Sequence, residues 1–201
     1  MGTFAEKING MVANETSYRE LREACRVQLD IEAAFACGKK QTSSQRVAAI
    51  KRCLSKDRLF MDGAWDVDGR QYVCNGFCAV ELLDRVPGLP EVTQPEKAAP
   101  VKKYIDDIEK QVGEISISAE DTEVAVRAAL LDKGRDKQTP VRISGTETHV
   151  DPVWHHAVVT ALGGYAACQL RLSVRPFDGV LVLSSLGRGI IMPVKVKKKE
   201  G

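Results

Sequence analysis

The sequence lacks any long hydrophobic run, and this absence argues against a protein that spans a membrane. No apolar stretch in the 201 residues approaches the roughly 20 residues that a transmembrane helix needs. The first residues also lack the charged-then-apolar pattern of a signal peptide. We therefore expect a cytoplasmic protein with no membrane partner.

An excess of charge of one sign is also missing. The chain has 29 Lys+Arg and 27 Asp+Glu, which leaves a formal net charge of +2. Hydrophobic residues make up 44% of the sequence and charged residues 28%, a composition typical of folded chains with a real core and not of disordered ones. The length fits one compact domain or two small ones.

Signatures of catalysis are scarce. The sequence has no nucleophile elbow and no glycine-rich phosphate loop. All three histidines fall within eight residues, where His149, His155 and His156 accompany Asp151, and such a cluster could hold a metal. Asp151 is better explained as a helix cap, so we predict a non-enzyme without cofactor or metal. A metal-dependent enzyme that uses this cluster is a distant third alternative.

The six cysteines do not predict a disulfide framework. They occupy positions 25, 37, 53, 74, 78 and 168, several of them at core-facing spacing, and a cytoplasmic location favours reduced thiols. Cys74 and Cys78 could form half of a zinc site, but no second Cys or His pair lies nearby in the sequence. Plain packing is the better interpretation.

The chain divides at about residue 40. A capping box at Ser17–Glu20 predicts a helix that ends near Gly38, so residues 1–40 form a leader and an N-terminal helix. Residues 41–201 are predicted to form a single domain, with halves at 41–90 and 140–196 and an acidic insert at 91–139.

Both halves show a helix followed by three strands. In the first half, a helix after the cap at residues 42–44 precedes strands that turn at Asp68-Gly69 and Asn75-Gly76. In the second half, a short strand at 141–143 precedes a helix that starts after Asp151. Three strands at about 168–174, 180–183 and 190–192 follow this helix. The pattern predicts an α+β fold with two α-β-β-β half-modules, antiparallel sheets and a possible internal duplication.

Charge is segregated within the neutral total. Residues 39–58 hold seven cations and one acid, a local balance of +6, whereas residues 106–123 hold seven acids and one lysine. The acidic stretch falls in a segment where apolar spacing predicts a helix near Ile105, a strand at 115–117 and a helix at 119–131. Such segregation favours self-association or partner binding at least as much as DNA binding.

Two short stretches resemble the bacterial DNA polymerase III beta subunit, the sliding clamp. The segment from residue 148 to residue 196, which ends on Gly-Ile-Ile-Met-Pro-Val-Lys-Val, is similar to the end of that family, and residues 73–80 are similar to its Thr-Asp-Gly-His-Arg-Leu-Ala element. The chain also resembles short clamp-like proteins of Firmicutes prophages and mobile elements. The resemblance implies a DNA-clamp-like fold.

The resemblance further implies a clamp-like, DNA-associated accessory protein of phage or mobile-element origin that forms a homo-oligomer. Duplex DNA would be held through phosphates by the basic segment, whose cations are Lys39, Lys40, Arg46, Lys51, Arg52, Lys56 and Arg58. A peptide groove would include Met192, Pro193 and Val194. The alternatives are a solvated polar face, an ordinary edge strand, and a clamp-derived protein-interaction module that does not bind DNA.

Overall fold

The first structural unit is a helix followed by a three-stranded meander. The structure, a computed structural model, describes residues 44–98, 100–131, 139–173 and 179–196. Within it, α1 spans Ser44–Arg52, β1 spans Trp65–Val67, β2 spans Arg70–Cys74 and β3 spans Cys78–Leu82. The helix predicted from Ser17 to about Gly38 lies outside the described residues. So do Lys39 and Lys40, and the cysteines at positions 25 and 37.

The turn between β1 and β2 has the geometry that its sequence predicts. Asp68 and Gly69 have φ values of 53° and 76°, which a two-residue hairpin turn of the primed type requires. The predicted meander is thereby confirmed, with β1 pairing with β2 and β2 with β3 in antiparallel registers.

The insert contributes a helix, a strand and a second helix. Helix α2 spans Val101–Glu109, β4 spans Val112–Ser118 and α3 spans Glu120–Leu131. A short 3-10 helix at Pro95–Lys97 precedes them. Three acids, Glu120, Asp121 and Glu123, occupy the first turn of α3, where negative charge interacts favourably with the helix dipole.

The last unit repeats the order of the first. Two short strands, β5 at Val141–Arg142 and β6 at His149–Val150, precede α4 at Pro152–Ala161. After a 3-10 helix at Tyr165–Ala167, strands β7, β8 and β9 span Gln169–Ser173, Val180–Ser184 and Gly187–Ile191. Asp151 caps α4 as predicted, since its carboxylate accepts a hydrogen bond from the Val153 amide at 2.8 Å.

One strand boundary in this unit needs correction. The strand predicted at residues 141–143 is present as β5, which pairs with β6 in a separate two-stranded sheet. Strand β9, predicted at about 190–192, begins three residues earlier, at Gly187. A Cβ atom on Gly187 would lie 2.0 Å from the Glu81 carbonyl oxygen, so the close approach of the two strands requires a glycine at this position.

The large sheet joins the two units in a mirrored order. Its seven strands run β1-β2-β3-β9-β8-β7-β4, and the paired strands are antiparallel. The third strands of the two units, β3 and β9, meet at the centre, and helices α1 and α4 pack on each other. A local two-fold axis between β3 and β9 would generate this order. The fold is therefore mixed α/β, with one large antiparallel sheet and four described α-helices.

Each face of the sheet carries its own core. On one face, alternate residues of β3 and β8, such as Val80 and Val182, pack with α1, α3 and α4. On the other face, Ala79 and Leu181 pack with Ile105 and neighbouring apolar residues of α2. Helix α2 of the acidic insert therefore covers the face opposite α1.

A buried ion-pair network fixes α2 to the sheet. Glu81 on β3 has an exposed fraction of 0%, and its carboxylate pairs with both Arg70 and Arg188. Arg188, directly opposite on β9, also pairs with Asp106 at 3.0 Å and with Glu109. Part of the acidic stretch is thus neutralised within the chain.

Candidate functional site

Four exposed cations lie at and beyond the C-terminal end of α1. Lys51 and Arg52 form the last turn of the helix, where positive charge interacts favourably with the helix dipole. Lys56 and Arg58 follow in the loop that leads to β1, and all four side chains are exposed. We call Lys51, Arg52, Lys56 and Arg58 the basic cluster.

The basic cluster has no carboxylate partner within ion-pair distance among the described residues. Most other cations of the described chain form ion pairs. Eight of them pair with Asp or Glu side chains: Arg70, Arg85, Lys102, Lys103, Lys110, Arg127, Arg142 and Arg188. The basic cluster therefore differs by placing four exposed cations within eight residues that form no ion pair with a described carboxylate.

Arg46, also predicted to contact DNA, has a structural role. Its Nε donates a hydrogen bond to the Ala161 carbonyl at 2.8 Å, which satisfies a terminal carbonyl of α4. Burial lowers the pKa of this guanidinium, and the charge of Asp84 opposes that effect. Arg46 thus joins the two helices, and of the seven predicted DNA contacts four lie together at the surface.

An open groove of about 690 Å³ borders the cluster. Lys51 and Lys56 line it together with Asp62 and the loop Gly88–Pro90. The two ammonium groups outnumber the one carboxylate, so the lining of the groove carries a net positive charge.

The β2–β3 turn lies against the same end of α1. The Asn75 side chain accepts hydrogen bonds from the Phe77 and Cys78 amides, both at 2.9 Å, and donates one to the Arg52 carbonyl at 3.4 Å. Gly76 has a φ of 89°, and a Cβ atom there would lie 2.8 Å from a guanidinium nitrogen of Arg58. The turn therefore sits beside two members of the basic cluster.

The turn presents an aromatic side chain to solvent. Phe77 is 57% exposed and stacks on Trp154 of α4, with ring centroids 6.0 Å apart and an interplanar angle of 2°. Sequence analysis placed Phe77 in a strand and assigned Trp154 no role. The signal that could have found Phe77 is an aromatic residue directly after the turn dipeptide Asn75-Gly76.

The predicted peptide-groove residues reach this aromatic pair. The Met192 amide donates to the Phe77 carbonyl at 2.9 Å, and the Val194 amide donates to the His149 carbonyl at 2.8 Å. Pro193 bridges to Val150. Met192 is 40% exposed, so the C-terminal segment extends the apolar surface that Phe77 and Trp154 begin.

The histidines occupy three different environments. The ring of His149 contacts the Glu147 carbonyl at 3.0 Å, and His156 contacts the Tyr165 hydroxyl at 3.1 Å. His155 is completely buried. In the ranges that the structure covers, no group of three His, Cys, Asp or Glu side chains is arranged to hold a metal, so the cluster of the third alternative is not assembled there.

The four described cysteines are buried and unbridged. The Cys78 thiol lies against Cys53, and their hydrogen bond and burial raise its pKa well above the usual value. Burial alone raises the pKa of Cys168 to about 12. Cys78 and Cys168 are therefore packing groups with little thiolate character.

Comparisons of this chain with protein-family models, curated proteins and solved structures found no match. Among the described helices, none combines the length and apolar content needed to cross a bilayer.

Proposed function

We propose that this chain is a non-enzymatic, clamp-like accessory protein that associates with duplex DNA through phosphate contacts. Lys51, Arg52, Lys56 and Arg58 provide those contacts. The observation that carries the proposal is that these four exposed cations lack carboxylate partners within the described chain, whereas eight other cations are paired. Contacts of this kind position a protein on DNA without reading base sequence.

The architecture supports a clamp-like assignment. Two units with the order helix then three strands meet through β3 and β9, and α1 packs on α4. This is the arrangement of half-modules that the resemblance implies. The basic cluster begins on α1, one of the two paired helices, and a clamp-like protein would hold the duplex by cations on helices.

A salt titration tests the proposal quantitatively. Four phosphate contacts predict that the logarithm of the binding constant falls with the logarithm of salt concentration with a slope of about −3.6. Fluorescence anisotropy of a labelled duplex at several NaCl concentrations measures this slope. Contacts from Lys39 and Lys40 would make it steeper.

The variant that tests the cluster carries Lys51→Gln, Arg52→Gln and Lys56→Gln. We expect its slope to fall to about −0.9, because one of the four cations remains. The matched control carries Lys97→Gln, Lys103→Gln and Lys110→Gln, three exposed lysines in the insert, and it should keep the wild-type slope. No duplex binding at low salt, or an equal loss in the control, would contradict the proposal.

A protein-interaction module that does not bind DNA is the second candidate. The exposed apolar surface of Phe77, Trp154 and Met192 favours it. This candidate gains support if duplex binding is absent at low salt while an acidic peptide containing Leu and Phe changes the fluorescence of Trp154. An unchanged Trp154 signal would remove it.

We propose that the protein also self-associates. One pair of half-modules per chain is too little to surround a duplex, so a clamp-like ring requires several copies. Size-exclusion chromatography with light scattering measures the assembly, and a monomeric mass at all concentrations would contradict this part of the proposal.

A further inference from the structure

The β2–β3 turn is built to hold Phe77 in one position. Asn75 is buried, and its side chain makes four hydrogen bonds: it accepts from the Phe77 and Cys78 amides and from the Cys78 thiol, and it donates to α1. The Met192 amide donates to the Phe77 carbonyl from the other side. An aromatic ring on so constrained a backbone loses little conformational entropy when a ligand binds to it.

Phe77 and Trp154 form a flat aromatic surface. Their rings are nearly parallel, at an angle of 2°, and the stack holds the Phe77 ring while more than half of that side chain stays exposed to solvent. Trp154 is partly exposed. Another planar π system can therefore stack on the free area of this surface.

A guanidinium group and the end of α1 border the turn that carries Phe77. Arg58 reaches Gly76, the residue before Phe77, and the Arg52 carbonyl accepts a hydrogen bond from the Asn75 side chain at 3.4 Å, which places Arg52 beside the same turn. A ligand that fits this site therefore carries a planar apolar face and an anionic group a short distance from it.

We propose that the turn binds single-stranded nucleic acid, with a base stacked on Phe77 and the adjoining phosphates held by Arg58 and Arg52. Exposed aromatic side chains beside a positively charged groove are the usual means of single-strand binding. Bases inside a duplex are already stacked and cannot present a free face, so this contact forms at a single-stranded segment. The inference rests on the proposed function for its phosphate contacts.

An acidic peptide is the competing ligand, and the observations favour nucleic acid. A single nucleotide supplies both the flat ring and the anion in a fixed relation, and the next nucleotides supply further phosphates for Lys51 and Lys56 along the adjoining groove. A peptide would have to match four cations with several separate carboxylates while also inserting an apolar side chain.

The test compares Phe77→Leu with Tyr104→Leu. Both substitutions replace an exposed aromatic ring by leucine, and Tyr104 lies on α2, which covers the opposite face of the sheet. Anisotropy with a labelled 15-nucleotide oligothymidine and with a duplex gives both affinities. We expect Phe77→Leu to weaken single-strand binding by about 5- to 100-fold, to change duplex binding less than twofold, and to leave both salt slopes unaltered. Tyr104→Leu should behave as wild type.

Trp154 reports the stacking directly. The chain has two tryptophans, so a Trp65→Phe background leaves Trp154 as the sole tryptophan, and oligothymidine should quench its fluorescence when tryptophan is excited selectively. Phe77→Leu should abolish most of this quenching.

Each other outcome has a defined meaning. The inference is overturned if wild type and Phe77→Leu bind the single strand with equal affinity, or if Tyr104→Leu loses as much single-strand affinity as Phe77→Leu. In either case, duplex binding by the wild type would leave the proposed function standing. A Trp154 response to an acidic peptide and none to oligothymidine also overturns it. Single-strand binding that depends on Phe77, without any duplex binding, supports the inference and refutes the proposed duplex function.

Discussion

Acidification should destabilise the protein through His155, which is fully buried on α4. Its ring stacks on Tyr165 with centroids 5.8 Å apart, and within the described chain neither ring nitrogen has a hydrogen-bond partner. Burial, and secondarily the charge of His156, lower its pKa from 6.5 to about 4. The folded protein therefore holds this ring neutral at pH values where the unfolded chain protonates it.

The sign and size of the effect follow from proton linkage. Since the folded-state pKa is the lower one, the contribution of His155 is fully present above pH 6.5 and is lost as the pH falls towards 4. Between pH 7.5 and pH 5 this loss amounts to about 2 kcal/mol, and by pH 4 to about 3 kcal/mol. Asp62 and Asp68 have lowered pKa values, so their contribution to the free energy of unfolding is lost mainly below pH 4.

Urea denaturation followed by circular dichroism at pH 7.5, 6, 5 and 4.5 measures the loss. His155→Leu nearly conserves volume and removes two unsatisfied nitrogens, so its free energy of unfolding at pH 7.5 should lie within about 1.5 kcal/mol of wild type. Between pH 7.5 and pH 5, both His155→Leu and His155→Gln should lose about 2 kcal/mol less free energy of unfolding than the wild type. Their free energies of unfolding at pH 7.5 will differ from each other. A pH profile parallel to wild type in both variants would refute the reasoning.

Two further stability predictions follow from the same structure. Glu81→Gln removes the charge that Arg70 and Arg188 share, and it should reduce the free energy of unfolding by about 1–3 kcal/mol. The loss is limited because Arg188 keeps Asp106 and Glu109 as partners; an unchanged free energy of unfolding in urea denaturation would show that the Glu81 pairs do not stabilise the fold. Asp151→Ala removes the cap of α4 and should cost about 1 kcal/mol, whereas Asp151→Asn should cost much less. Equal losses in the two Asp151 variants would argue against capping through the side-chain oxygen.

Local rules predicted the features that depend on a few neighbouring residues. The Asp68-Gly69 turn and the Asp151 cap each depend on the conformation of one or two residues, and Asp68 and Gly69 have φ values of 53° and 76°. Strand alternation also placed β2, β3, β7 and β8 correctly, because each strand buries a different set of side chains on each sheet face.

Features that depend on distant pairing were not predictable. Nothing near residue 141 shows that β5 will pair only with β6, and nothing near Gly187 shows that the Glu81 backbone will approach it within contact distance. Arg46 was grouped with the surface cations because its partner, the Ala161 carbonyl, lies 115 residues away. The role of Phe77 was not predictable for the same reason, because its stacking partner, Trp154, comes from a helix of the other half.

The distribution of charge explains how a nearly neutral chain can present a cationic surface. On the α2 side, acids of the insert pair with Arg188 and with lysines of α2 itself, so much of the negative charge is neutralised locally. On the α1 side, the basic cluster keeps its charge exposed, and the loop from α1 to β1 and the β2–β3 turn bring it next to the aromatic pair. The exposed positive charge of the basic cluster is therefore concentrated at one end of α1, although the net charge of the chain is only +2. A polyanion that approaches from solution would meet this end preferentially, beside the turn on which Phe77 can stack an unpaired base.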